Sequence, residues 1–138
     1  MKRLFLYLVA LMVTTTVFAY DFTVDGLCYN IIDGHYDAAD NFIPGTYAKV
    51  TYQNGESPRY NPEELNPNLV IPATVEYENV IYKVKWIGEA SFEGCAGIKT
   101  LTIADVVEKI QSDAFWGCFN LEKVTLPNSL TYIGQGVF

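Results

Sequence analysis

Three cysteines, one histidine and a short run of carboxylates are the residues of this 138-residue chain whose types could do chemistry. Cys95 and Cys118 could form a disulfide or act as nucleophiles, while Cys28 lies far from both in sequence. No pair of Cys or His residues has zinc spacing, and a His-based triad would have to use His35, the single histidine. His35 sits in Asp33-Gly34-His35-Tyr36-Asp37-Ala38-Ala39-Asp40-Asn41. The carboxylates there raise calcium, but their spacing does not match an Asp-x-Asp-x-Asp-Gly loop and no Glu closes one. A solvated loop is expected instead. Glu63-Glu64 lies among Pro and Asn residues, which places it on a solvent-facing loop rather than in a paired-carboxylate cleft. Gly-x-Ser-x-Gly and a phosphate-cradling glycine loop are both missing from the sequence. These residue types predict no enzyme, no metal and no cofactor.

The elements that carry these residues are more informative. Ile87, Ile110 and Ile133 are 23 residues apart, each within a similar phrase. The phrases are Ile87-Gly88-Glu89-Ala90-Ser91-Phe92-Glu93-Gly94-Cys95, Ile110-Gln111-Ser112-Asp113-Ala114-Phe115-Trp116-Gly117-Cys118 and Ile133-Gly134-Gln135-Gly136-Val137-Phe138. A fixed period of this size marks a solenoid, an architecture that presents broad binding surfaces. Aligning 87–109 with 110–132, and with a partial copy at 133–138, keeps apolar and small residues and varies polar ones. The predicted repeat core is Ile87, Phe92, Cys95, Ile98, Leu101, Ile103, Ile110, Phe115, Cys118, Leu121, Val124, Leu126, Leu130 and Ile133. Alternation turns Leu101 and Ile103 inward and Thr100 and Thr102 outward, and likewise Val124 and Leu126 against Lys123 and Thr125. In-register stacking at about 4.8 Å puts Leu101 beside Val124, Ile103 beside Leu126, Thr102 beside Thr125 and Lys99 beside Glu122. Pro127 ends its strand by withholding an amide. Ala114–Cys118 suits a single helical turn, with Phe115 in the core and Gly117 at a tight bend.

The N-terminus reads as a secretory signal over residues 1–19. Lys2 and Arg3 precede an apolar run from Leu4 to Phe18, and Val17-Phe18-Ala19 offers a cleavage site. The run is shorter than the roughly 20 residues that span a bilayer, so no membrane insertion is expected after cleavage. The exported part keeps all 16 acidic residues but 7 of the 9 basic ones. That balance excludes nucleic acid and anionic lipid as partners.

Residues 20–86 do not repeat and read as a β-rich cap region. Asp25-Gly26 between Asp21–Val24 and Leu27–Ile32 predicts a hairpin. Residues 33–45 read as polar and turn-rich, 47–52 as a strand, and 53–68 as a Pro-rich loop. Leu69-Val70-Ile71 reads as a buried strand stopped by Pro72, and 74–77 with 80–87 as a second hairpin turning at Glu78-Asn79.

The pattern Leu-x-x-Val-x-Leu-Pro-x-x-Leu-x-x-Ile-Gly-x-x-x-Phe over Leu121–Phe138, with Ala-Phe-x-Gly-Cys at Ala114–Cys118, resembles the BspA-type leucine-rich repeat. Ile71-Pro72-x-x-Val75 matches Leu126-Pro127-x-x-Leu130, like a half repeat with a hairpin inserted. Ala104 stands where the pattern has Pro, Gln111 where it has Gly, and Ser91 where it has Ala. The fold class expected is α/β leaning to mostly β, with a β-hairpin-rich cap region ahead of a right-handed leucine-rich-repeat solenoid with a parallel sheet and short helical turns. The resemblance implies a secreted or cell-surface protein associated with adhesion, including to matrix proteins such as fibronectin and fibrinogen. It implies no specific site residue.

Two functional readings follow. In the first, a protein ligand, an extracellular matrix or host surface protein, binds the exposed strand face formed by Lys99, Thr100, Thr102, Glu122, Lys123 and Thr125. In the second, a carbohydrate binds the tyrosine-rich cap, which holds Tyr20, Tyr29, Tyr36, Tyr47, Tyr52, Tyr60, Tyr77 and Tyr82. Closure of the open end of the stack is the plainer role for those rings. Cys95 and Cys118, at one station of adjacent coils, are expected to be buried thiols rather than a disulfide, because the coil spacing exceeds the roughly 3.8 Å that bridged β-carbons prefer. The third copy breaks off at Phe138, which leads to the expectation of an N-terminal piece of a longer repeat protein and of self-association through the uncapped end.

Overall fold

The computed structural model describes residues 19–37 and 39–138. The signal peptide expected over 1–19 lies outside them apart from Ala19. The described residues form ten strands and no helix, and no helix among them is long and apolar enough to cross a membrane.

β1 (Phe22–Val24) and β2 (Leu27–Tyr36) form an antiparallel hairpin about Asp25-Gly26. The φ angles of 49° and 79° at those two residues are the left-handed pair that a two-residue turn demands. β3 (Phe42–Thr51) returns antiparallel to β2. Residues 33–45, expected to be mostly turn, are therefore mostly strand. Past a bulge between Ile32 and Gly34, the ladder continues with Gly34 opposite Pro44, His35 opposite Ile43 and Tyr36 opposite Phe42. Asp37 closes the turn, its carboxylate accepting the Ala39 and Asn41 amides at 2.8 and 2.9 Å. Those bonds, the Asn41 amide first, hold the Asp37 carboxyl below its ordinary pKa.

β5 (Thr74–Tyr77) and β6 (Val80–Ile87) make the second hairpin, with Glu78 and Asn79 both left-handed at φ 50° and 64°. β6 then runs parallel between β3 and β8 (Lys109–Ile110), and β10 (Tyr132–Ile133) follows β8. Val50, Ile87, Ile110 and Ile133 therefore occupy one row across the sheet. A second parallel sheet consists of β4 (Asn68–Ile71), β7 (Thr100–Ile103) and β9 (Lys123–Thr125). It pairs Leu101 with Val124 and Thr102 with Thr125, as the repeat register predicts. β4 sets Leu69 and Ile71 beside Leu101 and Ile103, so the parallel stack begins at Asn68.

Successive coils are joined by backbone hydrogen bonds that recur with the sequence period. The Gly88, Gln111 and Gly134 amides donate to the Val50, Ile87 and Ile110 carbonyls at 2.8, 2.9 and 2.8 Å. Lys99 and Glu122 donate to Pro67 and Lys99 at 2.7 and 2.8 Å. Ala104, where Pro is usual, uses its amide on the Ile71 carbonyl at 3.1 Å.

The segment expected to be a helical turn is a run of turns. The Phe92 and Phe115 amides reach across to the Ala114 and Val137 carbonyls at 2.8 Å. An amide committed to the adjacent coil cannot make the i→i−4 bond of a helix. Ala90, Asp113 and Gly136, one per coil at the same station, all have positive φ (49°, 56° and 59°), which interrupts helical geometry.

Stacked aromatic rings run up the centre of these turns. Tyr60 and Phe92 lie 5.0 Å apart, Phe92 and Phe115 5.1 Å, and Phe115 and Phe138 5.7 Å, with interplanar angles of 14°, 4° and 10°. The Tyr60 hydroxyl accepts the Cys28 amide at 3.0 Å and donates to the Thr51 carbonyl, which ties the first ring to β2 and β3. Ser91, where Ala is usual, directs its hydroxyl to the Gly88 and Val50 carbonyls at 2.7 and 3.1 Å.

Ile87, Phe92, Cys95, Ile98, Leu101, Ile103, Ile110, Phe115 and Cys118 are buried. Leu121 and Leu130 are half-buried. Val124, Leu126 and Ile133, also expected in the core, are 37%, 45% and 48% exposed. They lie in or beside β9 and β10, the last strands of the two sheets, each paired on one side only. Truncating Phe115 to Ala removes the ring between Phe92 and Phe138 and should cost about 3–5 kcal/mol. Glu122→Ala on the exposed face should stay within about 0.5 kcal/mol. Urea unfolding of both variants measures the contrast, and comparable losses would show that the ring stack does not hold the coils.

Candidate functional site

The residues predicted to form a binding face are brought together by the second parallel sheet. Its outward positions make two rows, Asn68–Thr100–Lys123 and Val70–Thr102–Thr125. Thr102, Lys123 and Thr125 are exposed and Thr100 is half-buried. The Thr100 hydroxyl donates to the Asn68 side-chain oxygen at 3.0 Å. Lys99 and Glu122 sit just ahead of β7 and β9, both exposed. Coil stacking brings their main chains into contact, but they are not among the ion pairs of the described residues, which join Arg59 to Glu93 and Lys85 to Glu108. Long exposed side chains gain little from such pairing.

Sequence reasoning left Asn68 and Val70 off this face. Val70 is 58% exposed beside Thr102. The signal was available: matching Ile71-Pro72 to Leu126-Pro127 sets Val70 at the station of Thr125.

The same period hides a second cluster. Lys85 and Glu108 lie 23 residues apart and pair directly. The other Glu108 oxygen faces His35 Nε2 at 3.4 Å. His35 is buried in β2, its ring edge against Tyr47 at 4.6 Å between centroids, rather than on the solvated loop expected for it. Among the described residues, no group of three His, Cys, Asp or Glu side chains could hold a metal ion. The Glu64 carboxylate accepts from Gln53 and Asn61 at 3.2 and 3.0 Å, which makes it a loop brace.

The cap tyrosines divide by burial. Tyr29, Tyr60 and Tyr82 are buried, and Phe22 stacks on Tyr77 and Tyr29 at 4.5 and 5.4 Å. Tyr36 is the one cap tyrosine, among the described residues, that is mostly exposed, at 55%.

All three cysteines are buried and unbridged. The Cys118 thiol donates to the Phe92 carbonyl of the preceding coil at 3.3 Å. Burial pushes the Cys118 thiol up to about 12 and Cys28 up to about 11, and raises Cys95 as well. Such thiols are poor nucleophiles.

Residues 72–138 match the model of the BspA type leucine rich repeat region. These residues belong to this family. A leucine-rich repeat protein from Bacteroides ovatus has a similar structure, with a TM-score of 0.65 at 30% identity, over 86% of this chain and 27% of that one. One from Bacteroides capillosus gives 0.64 at 29% identity, over 83% and 70%. A leucine rich cell surface protein from Faecalibacterium prausnitzii gives 0.55 at 25% identity, over 82% and 26%. The chain thus spans about a quarter of the first of these repeat proteins and more than two thirds of the second. No curated protein matches it.

The cysteine stations carry a testable consequence. An unfolded Cys118 ionises near 9.0 and the folded one near 12, so the unfolded chain loses its proton first. Stability is full below pH 9 and falls as pH rises toward 12. At pH 8, iodoacetamide should label Cys118 much more slowly in the folded chain than in urea, because the folded thiol is buried and its ionisation is pushed up. Equal rates in the two states would contradict this placement.

Proposed function

We propose that the protein is a secreted or cell-surface leucine-rich repeat protein that binds a protein ligand through the outward face of β4, β7 and β9. In this reading the coils form a right-handed solenoid, the family's short helical turns are present here as hydrogen-bonded turns, and the chain does no catalysis. The observation that carries it is the face itself: a parallel three-stranded sheet whose inward residues Leu69, Leu101 and Ile103 are buried while Val70, Thr102, Lys123 and Thr125 stand exposed. A flat array of polar and β-branched side chains on rigid strands suits recognition of a protein surface at little entropic cost. Export is supported by the leading apolar segment and by the likeness to a protein described as a leucine rich cell surface protein. The family resemblance directs the choice of ligand toward extracellular matrix and host surface proteins. For the polypeptide made alone, self-association through exposed Val124, Leu126 and Ile133 belongs to the same reading.

The test is binding of the exported chain to immobilised fibronectin and fibrinogen. Replacing Thr100, Thr102, Lys123 and Thr125 together with Ala should weaken binding at least about tenfold, the effect of losing more than 1.4 kcal/mol, with urea stability nearly unchanged. A folded variant that binds as tightly as the parent overturns the reading. Binding on a glycan array that survives this change but is lost in Tyr36→Ala would move the site to the cap.

A further inference from the structure

The second sheet has one unpartnered edge inside a cleft. β4 pairs with β7 on one side and, among the described residues, with no strand on the other. A cleft of about 550 Å³ lies along that open edge, between the β1–β2 turn, the loop before β4, and β5. Peptide groups alternate in direction along a strand. The Pro67 and Ile71 carbonyls face β7, where they accept from Lys99, Thr100 and Ala104. Asn68 and Val70 therefore turn their peptide groups toward the cleft. The Asn68 amide is already held by the Asn66 side-chain oxygen at 2.9 Å. That leaves the Val70 amide, with the Asn68 and Val70 carbonyls, as main-chain groups at strand spacing and with no strand beside them. Pro67 and Pro72 bracket this stretch and keep it short.

The rest of the cleft shows what fits there. Leu27, Leu65, Leu69 and Val75 supply its apolar lining, and Asp25, Glu64 and Glu76 supply its charge. None of the lining residues is basic. An amide and carbonyls at strand spacing complement another peptide main chain, and three carboxylates that are in no ion pair among the described residues favour a cationic partner.

We propose that this edge binds an extended basic peptide segment of a partner protein by strand addition. The Val70 amide and carbonyl pair with one peptide residue. An apolar side chain of the peptide enters among Leu27, Leu65, Leu69 and Val75, and flanking Lys or Arg side chains meet Asp25, Glu64 and Glu76. The site uses the main-chain edge of β4 and not the outward side chains of Thr100, Thr102, Lys123 and Thr125.

The experiment uses the full chain and a fluorescein-labelled Lys-Val-Lys-Val-Lys peptide, read by fluorescence anisotropy at low salt. Saturable binding is expected, together with none of a Glu-Val-Glu-Val-Glu peptide. The double variant Asp25→Asn/Glu76→Gln should weaken binding about tenfold. Two N-methylated forms of the lysine peptide, blocked at alternate amides in opposite phase, separate strand addition from charge alone. One phase should abolish binding and the other should leave it. The four-residue alanine variant of the outward face should bind the peptide as the parent does, so loss of either site is read separately. Lack of saturation, equal binding of the acidic peptide, or equal binding of both methylated phases overturns the proposal.

Discussion

The structure depends on one constraint: each coil must place its amides within hydrogen-bond reach of the coil before it. The bonds from Gly88, Gln111 and Gly134 to Val50, Ile87 and Ile110 set the coil spacing, and that spacing decides which side chains meet. It puts aromatic rings about one strand spacing apart, so they stack nearly parallel rather than edge to face. It brings Cys118 under the Phe92 carbonyl, and Gly117 so close to Gly94 that a β-carbon there would lie 3.3 Å from the Gly94 Cα. The left-handed station shared by Ala90, Asp113 and Gly136 shows the same rule acting on the backbone. Three different residue types adopt one conformation because their neighbours impose it.

The cap works by imitating a coil without repeating its sequence. Val50 stands in the row of Ile87, Ile110 and Ile133, and Tyr60 in the row of Phe92, Phe115 and Phe138. A tyrosine suits that end position. Its ring offers the next coil the same apolar plate, and its hydroxyl engages the Cys28 amide and Thr51 carbonyl. Glu108 joins the same two regions, since Lys85 pairs with it and His35 Nε2 faces its other oxygen.

Most of the repeat was legible in the sequence because period and alternation are local signals. Ile87, Ile110 and Ile133 announce the coil, and the alternation of Leu101 and Ile103 with Thr100 and Thr102 separates inside from outside. Both hairpin turns were readable because Asp25-Gly26 and Glu78-Asn79 satisfy a backbone requirement rather than a tertiary one. What was not legible needed distant partners. Residues 33–45 look like a loop by composition, yet pairing across a bulge makes them strand. His35 becomes a core residue through Tyr47 and Glu108, which lie far away in sequence. Ala114–Cys118 could pass for a helix until the adjacent coil takes the Phe115 amide. Of the outward strand face, the Thr and Lys positions follow from the repeat alternation, while Asn68 and Val70 require the half repeat at Ile71-Pro72 to be aligned with Leu126-Pro127.

Uniform coil-to-coil bonding also has a mechanical side. The bonds between coils lie along the axis of the stack, so tension applied along that axis loads them one coil at a time. Coils would detach in sequence, each releasing about 80 Å of chain at roughly 3.3–3.6 Å per residue. A protein of this build, held at one end and gripped on its flank, would lengthen in steps under load and could re-form each step when the load fell.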